Sequence, residues 1–164
     1  MDTKVKRNIV CKDPARQTVW SLKVNNPIDA EQFLIIDLII HSLQNTPNNY
    51  LIIDINPEPL PCGPLTYIQA IRNGESLWKV ELHFETSCVF SYAYKGTVRM
   101  RKHPWTQFGA QFHRVEDVSD VFEQILCHDS VPDLSKWRDY TKRIYLQQRK
   151  KRGKIIPIPA GRHR

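Results

Sequence analysis

The chain has 164 residues, 41% of them hydrophobic and 25% charged, which is the balance of an ordinary globular domain with room for one core. No apolar run approaches the ~20 residues of a membrane-spanning helix; the longest, residues 33–40, is short and carries Asp37. The net charge of +7 is unevenly spread: nine basic residues and no acid lie from Lys142 to the end, which leaves −2 for residues 1–141. The body is therefore near neutral, and the pI describes the C-terminal segment.

The first residues, MDTKVKRNIVCKD, contain no apolar stretch of signal-peptide type, so a cytoplasmic location is expected. Residues 1–16 are charged and pattern-poor and read as a loose segment. Cys11, Cys62, Cys88 and Cys127 contain no CxxC pair. Four reduced, mostly buried thiols are expected, with neither a zinc site nor any other metal or cofactor.

A strand is predicted over residues 17–24 and ends at Asn25-Asn26-Pro27. A helix follows. Asp29 suits its N-cap and Gln32 the capping-box position, while Ile28 can pack on Phe33 as a staple. Phe33, Ile36, Ile40 and Leu43 form one stripe, widened by Ile35 and Ile39; Asp37, His41 and Gln44 mark a narrow wet stripe. Residues 50–55 read as a short strand. Pro57, Pro59, Pro61 and Pro64 make the next stretch an extended connector.

Residues 66–94 read as a three-strand antiparallel meander. Asn73-Gly74 favours a tight hairpin turn. After it, Trp78, Val80, Leu82 and Phe84 alternate with Lys79, Glu81, His83 and Glu85, so the first set is assigned to the core and the second to solvent. Phe90, Tyr92 and Tyr94 share a face of the third strand; a core face under a helix is favoured over a stacking platform for single-stranded nucleic acid. Lys95-Gly96 looks like another turn. A further strand over 97–102 places Val98 and Met100 opposite Arg99 and Arg101.

Residues 105–114 are expected to be a loop anchored by Trp105, Phe108 and Phe112. A second helix over 117–126 carries Val118, Val121, Phe122, Ile125 and Leu126 on one face. A third is predicted over 134–152, capped by Asp133 and stopped by Gly153. Its last turns and the remaining residues form a basic helix end and a flexible tail. The domain reading is thus a single α+β domain over 17–141, with 142–164 as the basic extension.

Chemistry-bearing patterns are sparse. GxSxG, GxxxxGK[ST], GxGxxG and HExxH are all missing. Glu81 and His83 lie two apart on one strand and could orient a general base, but a surface of mixed charge is the commoner meaning of such a pair. The run of Lys142, Arg143, Arg149, Lys150, Lys151, Arg152 and Lys154 can bind phosphates with counterion release or can simply solvate a tail.

The segment Thr66-Tyr67-Ile68-Gln69-Ala70, a turn, and Leu77-Trp78-Lys79-Val80-Glu81 resembles the small α+β immunity proteins of bacterial polymorphic toxin systems. Val118 to Phe122 and Trp137 continue the resemblance, which spans roughly residues 64–140. It implies a non-enzymatic protein that works by covering a partner toxin, with no catalytic residues. The basic tail and the lack of an acidic patch depart from what a nuclease partner would call for.

The expected fold is α+β: a mostly antiparallel sheet of five or six strands, the first helix on one face, and the two C-terminal helices on the same side or at an end. The leading functional expectation is a non-enzymatic protein-binding module that uses Lys79, Glu81, His83 and Glu85. The alternative is a nucleic-acid-associated protein that uses the basic segment from Lys142. An enzyme built on Glu81 and His83 stands third.

Overall fold

A computed structural model describes residues 5–13, 18–26, 28–45, 50–54, 65–73 and 77–155. Among these residues, nine strands and three helices run in the order β1 (Val5–Asp13), β2 (Thr18–Asn26), α1 (Ala30–Ser42), β3 (Tyr50–Asp54), β4 (Leu65–Asn73), β5 (Leu77–Phe84), β6 (Cys88–Tyr94), β7 (Thr97–His103), β8 (Thr106–Phe112), α2 (Val115–His128), β9 (Arg138–Asp139) and α3 (Thr141–Ile155). The architecture is α+β. Seven strands pair antiparallel in the order β2-β1-β3-β4-β5-β8-β9, and β6 and β7 form a separate two-stranded ribbon. The sheet exceeds the expected five or six strands for two reasons. The segment read as loose at the start supplies β1, which pairs with both β2 and β3. The two residues of β9 add a last short edge on β8.

The core lies on one face of the sheet. Trp78, Val80, Leu82 and Phe84 of β5 are buried there as the alternation predicts. Leu51, Ile53, Leu65, Ile68 and Ala70 join them from β3 and β4. Phe33, Ile36 and Ile40 of α1 and Val118, Val121, Phe122, Ile125 and Leu126 of α2 close this face from above. At the start of α1, the Gln32 side-chain oxygen accepts from the Asp29 backbone N–H at 3.4 Å. Ile28 and Phe33 are both in the core, and the Ile28 N–H donates to the Leu126 carbonyl at 2.8 Å, tying the two helices together. Asp37 faces α2 and accepts from the Ser119 hydroxyl. The outer side of α1 remains apolar: Leu34, Ile35 and Leu38 are 58%, 48% and 71% exposed.

Three expectations give way to longer-range pairing. The third strand of the meander leaves the sheet: β5 pairs with β8, from Trp78 opposite Phe112 to Phe84 opposite Thr106. The residues expected as a loop, 105–114, thus supply a central strand. Phe108 and Phe112 give the core face the bulky cross-strand partners that β6 would otherwise have to provide. β6 instead folds back on β7 through Lys95 and Gly96, with φ of 48° and 79°. Positive φ at both central residues is the twist that a two-residue hairpin requires.

The third helix also starts later than predicted. Asp133 caps only the 3-10 turn Leu134–Lys136, with its carboxylate accepting from the Ser135 N–H at 3.0 Å. Residues 138–139 are then drawn into β9, and α3 begins at Thr141 and runs through Gly153 to Ile155. It does not share the side of α1 and α2. The bond of its first residue, Thr141, to Gln107 and the packing of the preceding Tyr140 on Gly109 put it on the opposite face of the sheet.

Candidate nucleic-acid interface

The second face of β5 and β8 carries Lys79, Glu81, His83, Gln107, Gly109 and Gln111 in register. Gln107 is the hub. Its side-chain oxygen accepts from the Tyr67 hydroxyl at 3.0 Å and lies 3.1 Å from His83 Nδ1. Its side-chain nitrogen donates to Glu81. Its backbone N–H donates to the Thr141 hydroxyl at 3.0 Å, and its carbonyl accepts from the Tyr140 N–H at 2.8 Å. One glutamine therefore satisfies the polar second face and fastens α3 to it. Burial pushes the Tyr67 phenol above its ordinary pKa, reinforced by the Glu81 and Asp54 carboxylates.

This arrangement uses much of the surface expected to meet a partner. Glu81 is 7% exposed. His83 lies against Tyr67, with ring centroids 4.7 Å apart and planes within 10°, and against Trp105 at 4.8 Å. Lys79 places its ammonium 4.3 Å from the centroid of Tyr140 and 3.8 Å from Glu81. Glu85 is exposed beyond the end of β5. Glu81 and His83 do not bond each other; each is bonded to Gln107.

α3 is wedged between this face and the β6–β7 ribbon. Tyr145, 5% exposed, meets Phe90, Tyr92 and His103 at centroid distances of 5.6, 5.7 and 5.7 Å. Phe90 and Tyr92 are thus packed under a helix, as their stripe suggests, but that helix is α3. Arg149 donates to the Tyr92 hydroxyl at 3.0 Å and the Tyr145 hydroxyl at 3.3 Å, and stacks 4.5 Å from the centroid of Tyr94. The guanidinium bond to Tyr92 lowers the pKa of that phenol. Arg99 and Arg101 of β7 lie 4.4 Å from the centroids of Tyr94 and Tyr145. These arginines act as apolar-plane partners as well as charges.

The outer flank of α3 is different. Arg138, Asp139, Tyr140, Lys142, Arg143, Leu146, Gln147 and Lys150 line an open groove of about 620 Å³ between β9 and the helix. Arg138, Lys142, Arg143 and Lys150 are all exposed. The single carboxylate of the lining, Asp139, accepts from the Thr141 N–H at 2.9 Å and its hydroxyl at 2.6 Å, so its charge is directed into the first turn of α3. Tyr140 also lines a smaller cavity of about 260 Å³ with Lys79, Glu81 and Arg143. Its ring is set by Gly109: a Cβ there would lie 2.7 Å from Tyr140 Cε2.

Of the basic residues singled out in the sequence, Lys142, Arg143 and Lys150 meet at this groove. Lys151 and Arg152 are exposed farther along α3. Arg149 is turned inward to the ribbon. The Lys154 side chain and residues 156–164, including the expected flexible tail, lie outside the described residues, as does the proline connector. Sequence reasoning missed Arg138 and Tyr140, because their approach to α3 depends on the β8–β9 pairing.

Cys88 and Cys127 are free thiols, each half-buried, and burial pushes Cys127 up to about 11; Cys62 and the Cys11 side chain lie outside the described residues. Among the described residues, no group of three or more His, Cys, Asp or Glu side chains is placed to hold a metal ion, and no helix is long and apolar enough to cross a membrane. Comparison of the chain with protein-family models, with curated proteins and with solved structures finds no match.

Proposed function

We propose that the chain binds nucleic acid through its phosphates, using the groove between β9 and α3. The observation that carries this reading is the grouping of four exposed cations around one groove whose only carboxylate is occupied within the helix start. Seating these charges on a docked helix sets their spacing. Lys142 and Lys150 are eight residues apart, about 12 Å along an α-helix. Such an ordered row gives up less entropy on meeting a polyanion than a loose tail would. No sequence-reading element is part of the proposal; the contact is to the backbone of the nucleic acid.

The protein-binding reading on Lys79, Glu81, His83 and Glu85 has less support. Three of those side chains already have partners within the chain.

The double substitution Arg143→Glu with Lys150→Glu tests the proposal. Both side chains are exposed, so the circular-dichroism spectrum should be unchanged. Affinity for an oligonucleotide should fall at least tenfold. The slope of log affinity against log salt should become shallower by roughly 1.5, the loss of two phosphate contacts at ~0.7–0.9 each. A folded variant with unaltered affinity and salt slope would sink the proposal.

A further inference from the structure

Resting on that reading, we infer that the groove selects single-stranded over double-stranded nucleic acid, with bases meeting Tyr140 and Leu146 while phosphates meet the surrounding cations. The groove is open, and its volume of about 620 Å³ is enough to seat a nucleotide-sized group. A duplex keeps its bases stacked inside it, so it can offer these cations its phosphates but cannot offer Tyr140 and Leu146 its bases. A single strand can turn its bases inward.

The walls suit that orientation. Leu146 gives an apolar surface in the middle of the cationic row, one turn from both Lys142 and Lys150. Tyr140 gives an aromatic wall between the groove and the smaller cavity behind it. That ring is held in place before any ligand arrives, by the contact with Gly109 and by the Lys79 ammonium 4.3 Å from its centroid. Arg138 and Arg143 lie 5.8 and 6.0 Å from the same centroid. An aromatic wall fixed among cations is the pairing that proteins use to hold an unstacked base beside its own phosphate, and it tolerates any sequence because every base has a π face. Charge alone would not call for Leu146 or Tyr140 in the lining.

The test measures binding of a labelled short single-stranded oligonucleotide, the duplex of the same sequence, and inorganic polyphosphate as a probe of charge alone. The single strand should bind about tenfold more tightly than the duplex. Leu146→Ser should weaken single-strand binding several-fold while leaving polyphosphate affinity unchanged. Tyr140→Ala should do the same by about tenfold, the effect of losing one base–aromatic contact. Since Tyr140 also seats α3, the Leu146 variant decides the outcome if the Tyr140 variant does not fold. Equal binding of single strand and duplex, or equal loss of polyphosphate and single-strand affinity in Leu146→Ser, would overturn the inference and leave phosphate binding standing. If neither oligonucleotide binds, both readings fall.

Discussion

His103 ends β7 inside an aromatic box, 5% exposed, and neither ring nitrogen has a hydrogen-bond partner among the described residues. Trp105 lies 4.3 Å from it by centroid, Phe90 5.9 Å and Tyr145 5.7 Å. Burial lowers its pKa from the ordinary 6.5, and the positive charge of Arg101 and the nearby His83 push the same way. In the unfolded chain His103 takes a proton as pH falls through about 6.5, whereas in the folded chain it resists until lower pH. Its contribution is therefore fully present above the unfolded value and is lost as pH drops from there towards the folded one. Melting temperature should fall as pH is lowered through this window, and His103→Phe should flatten that dependence. If the variant keeps the slope of the parent protein, His103 is not its source. A His-Pro pair read from the sequence marks the end of a strand well enough. It does not reveal an enclosed imidazole, because the enclosure is made by Trp105 and by Tyr145, 42 positions farther on.

Where a strand or helix carried its own pattern, it was legible. The alternation of Trp78, Val80, Leu82 and Phe84 placed β5, and the spacing of Val118, Val121, Phe122, Ile125 and Leu126 placed α2; all nine side chains are buried. β8 was not legible, although Phe108, Ala110 and Phe112 do alternate with Gln107, Gly109 and Gln111. A small Ala110 and a central glycine dilute the period, and glycine in a strand usually weakens it. Here Gly109 has a packing reason, since Tyr140 occupies the space a side chain would take. Replacing Gly109 with Val should force the ring outward and loosen α3. A destabilisation of about 1–3 kcal/mol is expected from such overpacking, read as a lower urea midpoint. An unshifted midpoint would show that α3 is seated by other contacts. The start of α3 was illegible for a related reason: Asp133 caps its own short turn, and only the distant pairing of Arg138 with Gly109 reveals that the chain is extended before it coils again.

Across the sheet, every neighbouring pair except β1–β3, β5–β8 and β8–β9 is consecutive in the order of the described strands and helices. The candidate site sits where the last two of these exceptions meet, which is why the sequence showed its charges and not its shape. The β5–β8 pair also bears on the order of folding events. Phe84 and Thr106 stand opposite each other, so the chain between them is a closed loop of roughly twenty residues. With the ribbon already zipped through Lys95 and Gly96, only about five residues remain to be ordered, which lowers the entropic cost of closure by about 1 kcal/mol. Substitutions in the ribbon that weaken the protein should therefore slow folding more than they speed unfolding. Stopped-flow kinetics of Val98→Ala or of Gly96→Ala, which strains the hairpin turn, would read this directly, and an effect confined to the unfolding limb would contradict it. The detour that removed β6 from the expected meander then has a kinetic meaning: a local hairpin, quick to form, acts as the clasp that brings two distant halves of one sheet into register.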